Sequence, residues 1–243
     1  MIEPILLAAA PIGTHRGGQA LSNASGFFFA RDERLFLVTS RHVLRDDASQ
    51  HLPDRLTIDV HTDPDNMAEC AGFSVPLYRQ GNPLWRQGGD RAGDVDVAAI
   101  ELDRDALPEG TPMQAFTPAH LVADLDAVEV GTPLLIVGFP LGFGDEWHHL
   151  PVARQAIVAS SFGLRFQGKG YFLTDARTHR GSSGAPVVMR AAPAAGRPQA
   201  LPWLLLGIHS ARLDMGGRDL GADEALGLNC AWYADILMTL TEA

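Results

Sequence analysis

Short apolar runs separated by clusters of Gly, Pro and Asp recur along nearly the whole of this 243-residue chain. The 25 glycines and 16 prolines provide the many turns that such a pattern needs. The pattern predicts an all-β fold, a sandwich or a barrel, with enough apolar residues (46%) to bury a core. The expected strands lie at about 4–10, 25–30, 35–39, 56–61, 73–78, 95–102, 133–138, 153–160, 171–174, 184–189, 203–210 and 226–230.

The segment Gly181-Ser182-Ser183-Gly184-Ala185-Pro186 predicts a sharp loop that leads into a strand. Glycine at position 181 allows a tight turn and leaves backbone N–H groups uncovered. The N–H groups of Gly181 and Ser183 are candidates for an oxyanion hole beside a nucleophilic hydroxyl. Ser182 competes with Ser183 for the nucleophile's role. We favour Ser183, because it precedes a glycine and lies two residues after Gly181.

A serine nucleophile needs a base, and the base needs a third group that orients it. His42 directly follows an apolar run and is the candidate base, with a satisfied core histidine as the alternative. Asp96 begins the apolar run 96–100 and is the favoured orienting group. Asp94 competes with it, although a turn residue bonded to its own backbone is the simpler interpretation there.

A resemblance to a known family has four parts, of which the first is a pair of segments. In chain order they are Asn23-Ala24-Ser25-Gly26-Phe27-Phe28-Phe29 with Leu37-Val38-Thr39-Ser40-Arg41-His42-Val43, then Asp96-Val97-Ala98-Ala99-Ile100, then Gly181-Ser182-Ser183-Gly184-Ala185-Pro186, and then Leu206-Gly207-Ile208-His209-Ser210. The chain resembles the trypsin-like serine peptidases of the chymotrypsin fold, in their compact bacterial form. The resemblance extends over residues 23–210, which is most of the chain.

The resemblance implies two six-stranded antiparallel β-barrels and a C-terminal helix within one peptidase domain, 1–243. The first barrel is expected at about 1–115, the second at about 130–230 and the helix at 231–241. It also implies a serine endopeptidase that works through an acyl-enzyme. In that scheme Ser183 attacks, His42 transfers the proton, Asp96 orients His42, and the N–H groups of Gly181 and Ser183 hold the oxyanion.

One position departs from the relatives that are activated by clipping. Those enzymes carry an aspartate immediately before the nucleophile, and it pairs with the newly made amino terminus. Ser182 stands there in this chain and cannot form that ion pair. We therefore expect the oxyanion loop to be held by local hydrogen bonds or to be ordered by a ligand.

The specificity pocket is expected along Thr178, His209 and Ser210. Thr178 and His209 resemble the pair that binds the substrate carboxylate in glutamyl endopeptidases. This predicts cleavage after Glu, then Asp or Gln, since the same pair also binds a neutral amide. The alternatives are a His209 bonded inside the barrel and an Arg212 that blocks the pocket.

A net charge of −10 and the lack of a basic run argue against nucleic acid as a partner. No apolar run is long enough to span a membrane, and the expected partner is a polypeptide substrate. No cofactor is implied, and no metal is expected at His148 and His149, which lack zinc-type spacing.

The two cysteines, Cys70 and Cys230, predict free thiols in a reducing, cytoplasmic location. The competing functions are an incompetent protease-fold binding module and a hydrolase of a non-peptide ester or amide.

Overall fold

The computed structural model of the protein describes residues 2–192, 200–212 and 227–242. Within them the strands are β1 (Ala9–Arg16), β2 (Gln19–Arg31), β3 (Arg34–Thr39), β4 (Arg55–His61), β5 (Cys70–Pro76), β6 (Tyr78–Arg79), β7 (Asn82–Pro83), β8 (Trp85–Asp90), β9 (Gly93–Leu102), β10 (Pro133–Gly138), β11 (Val152–Val158), β12 (Tyr171–Asp175), β13 (Pro186–Arg190), β14 (Trp203–Arg212) and β15 (Leu228–Tyr233). The α-helices are α1 (Arg41–Leu44) and α2 (Ile236–Leu240), and 3-10 turns lie at Pro4–Leu7, Arg104–Ala106, Pro118–His120, Leu125–Ala127, Pro140–Gly142 and Phe166–Gly168.

The strands form two antiparallel units that correspond to the two halves of the chain. The N-terminal sheet has seven strands in the order β5-β4-β1-β2-β3-β9-β8. The C-terminal unit is a closed barrel in the order β10-β11-β12-β15-β14-β13. Strands β6 and β7 form a separate pair. The all-β prediction of the chymotrypsin type is thus confirmed, and the C-terminal barrel has the six strands expected of it. The N-terminal unit, expected as a six-stranded barrel, is a sheet of seven strands because β8 adds to β9 at its edge.

The middle of the N-terminal sheet is buried on both faces. Side chains alternate along a strand, so the three consecutive phenylalanines of β2 cannot share one face. Phe28 packs inside the N-terminal sheet with Leu37. Phe27 and Phe29 instead pack with residues of the C-terminal barrel, Val137 among them. This explains why the strand is continuously apolar, since both of its faces are covered.

The linker between the two units adds to this shared core through Phe116. Its N–H donates to the Phe28 carbonyl (2.9 Å), and its carbonyl accepts from the Ala30 N–H (2.7 Å). The ring is fully buried and meets Phe27 edge to face, with ring centroids 5.6 Å apart. One residue of an otherwise irregular segment thus fixes the linker to β2.

Three predicted boundaries were wrong. The expected strand at 4–10 begins only at Ala9, because Pro4 starts a 3-10 turn. No strand was expected between those at 73–78 and 95–102, yet β8 lies there, and its Trp85 is buried against the sheet. The expected helix at 231–241 is shorter, since β15 continues to Tyr233 and α2 spans Ile236–Leu240.

Both cysteines are free thiols in separate parts of the fold, Cys70 on β5 and Cys230 on β15. Burial raises the pKa of each thiol to about 11. Neither therefore supplies the thiolate that a cysteine nucleophile needs at neutral pH. In the described part of the chain, no helix is long and apolar enough to cross a bilayer.

Replacing Phe116 with Ala should destabilise the protein by about 3–5 kcal/mol, because the shared core would be left with a cavity. Urea unfolding followed by tryptophan fluorescence measures this. Phe143→Ala is the matched control: that ring is 64% exposed, and the change should stay within about 0.5 kcal/mol. Equal effects of the two changes would contradict the packing described for Phe116.

Candidate active site

His42 and Asp96 meet because their strands pair. Strands β3 and β9 are antiparallel, with Thr39 opposite Ala98, so residues just after β3 face residues just before Ala98. The short helix α1 begins there and carries His42. The Asp96 carboxylate accepts two hydrogen bonds from this residue, one from the His42 backbone N–H (2.9 Å) and one from Nδ1 (2.7 Å).

The same carboxylate also receives a hydrogen bond from the C-terminal barrel. Ser210 on β14 donates its hydroxyl to Asp96 Oδ2 (2.5 Å). Burial alone would raise the pKa of Asp96, yet the hydrogen bonds and charge interaction with His42, together with the Ser210 hydroxyl, hold that pKa below its ordinary value. Asp94, the competing aspartate, is exposed on the β8–β9 hairpin.

Ser183 is the more accessible of the two candidate serines. It is half-buried, whereas Ser182 is buried. The Ser183 hydroxyl donates to the carbonyl of Ser210 (2.9 Å), and no hydrogen bond between described residues joins it to His42. Ser210 thus contacts Asp96 through its hydroxyl and Ser183 through its carbonyl. The sequence predicted Ser210 only as a residue of the pocket wall.

The backbone amides of the nucleophile loop fall into two groups. The N–H groups of Ser182, Gly184 and Ala185 donate to the carbonyls of His179, His209 and Ser182, respectively. The N–H groups of Gly181 and Ser183 make no hydrogen bond to any described residue. These are the two amides that the sequence singled out for an oxyanion.

The peptide between Arg180 and Gly181 is held in one orientation. Its carbonyl accepts a hydrogen bond from the Leu141 N–H (2.5 Å). In a trans peptide the N–H points away from the carbonyl, so the Gly181 N–H is directed away from Leu141. Gly181 has a φ of +89°, and a Cβ there would lie 2.6 Å from the Phe139 carbonyl oxygen. Only glycine fits this position.

The predicted pocket residues Thr178 and His209 are both buried. Thr178 donates its hydroxyl proton to Asn229 Oδ1 (2.6 Å). The Asn229 amide nitrogen in turn donates to the carbonyls of Thr174, Ala176 and Gly227 at 2.8–3.5 Å. Sequence reasoning missed Asn229, because only the fold brings β15 beside Thr178. The side chain of Arg212 lies outside the described residues.

His148 and His149 take separate partners. His148 Nδ1 lies 2.7 Å from Asp145 Oδ2, and His149 Nδ1 lies 3.6 Å from Asp59 Oδ2. The carbonyl of His148 also accepts a hydrogen bond from His61 Nε2 (2.8 Å). These contacts dock the exposed segment after the 3-10 turn Pro140–Gly142 onto β4.

The family model of the trypsin-like peptidase domain matches residues 24–192, which is more than half of the chain. The chain belongs to this family. No curated protein matches it.

Solved structures share the fold at low sequence identity. The HtrA-type protease AlgW with tripeptide is 18% identical, with a TM-score of 0.56 over 96% of this chain and 58% of that one. The serine endoprotease from Yersinia pestis is 15% identical, with a TM-score of 0.53 over 96% and 61%. The Rv3671c protease from M. tuberculosis, in its active form, is 14% identical, with a TM-score of 0.51 over 97% and 80%. The chain thus spans about three fifths of the first two.

Replacing Asp96 with Asn should lower the free energy of unfolding more at pH 7 than at pH 3. The pKa of Asp96 in the folded protein lies below the ordinary value of 3.8. Its contribution to stability is therefore present above that value and is lost as the pH falls through the folded pKa. Urea titrations between pH 7 and pH 3 measure the difference. Asp94→Asn is the exposed control, and a pH-independent effect of Asp96→Asn would contradict the expectation.

Proposed function

We propose that the protein is a serine endopeptidase that hydrolyses peptide bonds through an acyl-enzyme. The observation that carries the proposal is the hydrogen bond between His42 Nδ1 and Asp96. With its proton on Nδ1, the imidazole presents Nε2 as a base, which is the tautomer that activates a serine. The alternative of a core histidine does not fit, because His42 is partly exposed and its partner is a carboxylate.

The reaction needs one rearrangement of the resting site. The Ser183 hydroxyl leaves the Ser210 carbonyl and turns to His42 Nε2, which takes its proton as Ser183 Oγ attacks the substrate carbonyl. The two unengaged amides, Gly181 and Ser183, receive the oxyanion. His42 then protonates the leaving amine, and water cleaves the acyl-enzyme by the same steps. Hydrogen bonds of this kind are often long or misaligned before a substrate binds.

Ser183→Ala should abolish peptide hydrolysis and labelling by a fluorophosphonate probe. Loss of the nucleophile in such a site costs on the order of 10⁴–10⁶ in kcat. Ser182→Ala is the matched control and should keep most of the activity, because the Ser182 amide, rather than its hydroxyl, makes the hydrogen bond to His179. Tandem mass spectrometry of the peptide that contains both serines locates the label.

Two outcomes would favour a rival function, and a third would change the choice of nucleophile. A folded wild-type protein that resists the probe would be the incompetent binding module. A protein that takes the probe and hydrolyses esters, but cuts no peptide in a library, would be a hydrolase of non-peptide substrates. Labelling at Ser182 would overturn the choice of nucleophile.

For the substrate side chain we propose an acidic residue, with glutamate first. Thr178 and His209 lie buried behind the nucleophile loop, and Arg177, His179 and Arg180 flank the threonine. Positive groups near a site favour an anionic side chain, even in a chain of net charge −10.

One contact favours glutamine as a second candidate. The Asn229 amide has one orientation, because its nitrogen donates to three carbonyls. Its oxygen, Oδ1, therefore faces Thr178, and an amide oxygen can only accept a hydrogen bond. The single hydroxyl proton of Thr178 is therefore directed at Asn229. Thr178 therefore has no hydroxyl proton left to donate to a substrate carboxylate, a loss that matters less for glutamine, whose N–H₂ group is itself a donor.

Peptides that differ only in the residue before the cut, Glu, Gln, Lys or Phe, should be cleaved in the order Glu, Gln and then the others. His209→Ala should remove this preference while leaving fluorophosphonate labelling intact. A ratio of kcat/KM that favours Gln over Glu would support the second candidate. Preferred cleavage after Lys or Phe would overturn both and leave the proposed chemistry of Ser183 standing.

We also propose that the protein acts in the cytoplasm, on the support of its two free thiols, Cys70 and Cys230. Cell fractionation with an antibody to the chain tests this directly.

A further inference from the structure

Ser25 is a fully buried residue of β2, in the N-terminal sheet, that touches the nucleophile loop of the C-terminal barrel. Its hydroxyl donates to the Gly181 carbonyl (2.7 Å) and accepts from the Phe139 N–H (2.9 Å). Its backbone N–H donates to the carbonyl of Ser183 (2.9 Å). One residue thus contacts both ends of the segment that presents the two unengaged amides.

The Ser25 hydroxyl controls the peptides on both sides of Gly181. It holds the carbonyl of the following peptide, Gly181–Ser182, by direct contact. It holds the preceding peptide indirectly, because it anchors Phe139, and the turn after Phe139 supplies the Leu141 N–H that fixes the Arg180 carbonyl. A glycine with positive φ rotates easily, so these fixed carbonyls are what keep the Gly181 N–H pointing in one direction.

The surrounding backbone is packed closely around this hydroxyl. A Cβ on Gly138 would lie 2.5 Å from Ser25 Oγ, and a Cβ on Gly181 would lie 2.7 Å from the Leu141 nitrogen. Water therefore has little room to replace the hydroxyl. Its removal would leave a buried N–H and a buried carbonyl without partners, which costs on the order of 1–3 kcal/mol per group.

We propose that Ser25 is a positioning residue for the oxyanion hole, acting across the interface between the two β units. This rests on the proposed peptidase function. The hydroxyl takes no part in proton transfer. It selects the loop conformation in which the Gly181 N–H faces the substrate. This is the kind of local hydrogen bond that we expected to hold the loop, because Ser182 cannot form the activating ion pair.

Ser25→Ala should lower kcat and leave KM within about twofold, because the oxyanion forms only in the transition state. Removal of an oxyanion donor costs about 10²–10³ in kcat, and misorientation of Gly181 should cost on the order of tenfold to hundredfold. The affinity for a peptidyl boronate, whose tetrahedral adduct places an oxygen in the hole, should fall by the same factor. Ser25→Cys, with a weaker donor, should lie between Ser and Ala.

Thr14→Val is the matched control. Thr14 is equally buried in the same sheet, and its hydroxyl is bonded to the Ser22 carbonyl, away from the nucleophile loop. It should cost stability in urea without changing kcat or boronate affinity. All assays are run on full-length protein at 10 °C, with folded protein quantified by near-ultraviolet circular dichroism.

Three outcomes decide the inference. A loss of kcat and boronate affinity in Ser25→Ala or, if that variant does not fold, in Ser25→Cys, with Thr14→Val unaffected, supports it. Unchanged kcat in folded Ser25→Ala, or a change confined to KM, overturns it while the wild type remains active. An inactive wild type that resists fluorophosphonate overturns the proposed function itself.

Discussion

Strands β2, β3 and β9 are covered on both faces, and this double burial is the constraint on which the site depends. It forces the C-terminal barrel to pack against the N-terminal sheet through Phe27 and Phe29. The polar groups at this junction then have little access to water and find partners across it. Asp96 is bonded to Ser210, and Ser25 to Gly181, for this reason. The candidate active site is therefore a consequence of how the two units pack.

Asp96 shows how a carboxylate can remain charged at such a junction. Burying it would be costly without compensation, and three donors provide that compensation. Two come from His42, and one comes from Ser210 in the other unit. These three hydrogen bonds fix the orientation and the tautomer of the imidazole ring, and they also tie the two units together. The Asp94 carboxylate is exposed on the β8–β9 hairpin and has none of these effects.

The sequence was enough to predict the all-β class and the pairing of His42 with Asp96, because both follow from apolar runs and from what stands at their ends. It was not enough for β8, where Gln87-Gly88-Gly89-Asp90 has the composition of a turn and is a strand only because β9 offers an edge. Nor did it reveal the partners of Ser25 and Asn229. Ser25 and Gly181 are 156 positions apart, and no local pattern encodes such a contact.

Buried hydroxyls decide the polarity of this site, because each has a single proton to give. Ser25 gives its proton to a carbonyl, Ser210 to a carboxylate, and Thr178 to an amide oxygen, and none of these acceptors can donate in return. Their directions are therefore fixed by the fold. Ser183 differs, since it is half-buried although its hydroxyl also donates to a carbonyl. Of these four hydroxyls it is the one on a residue that is not buried, and so the one with room to turn from its acceptor to His42, as the proposed nucleophile must.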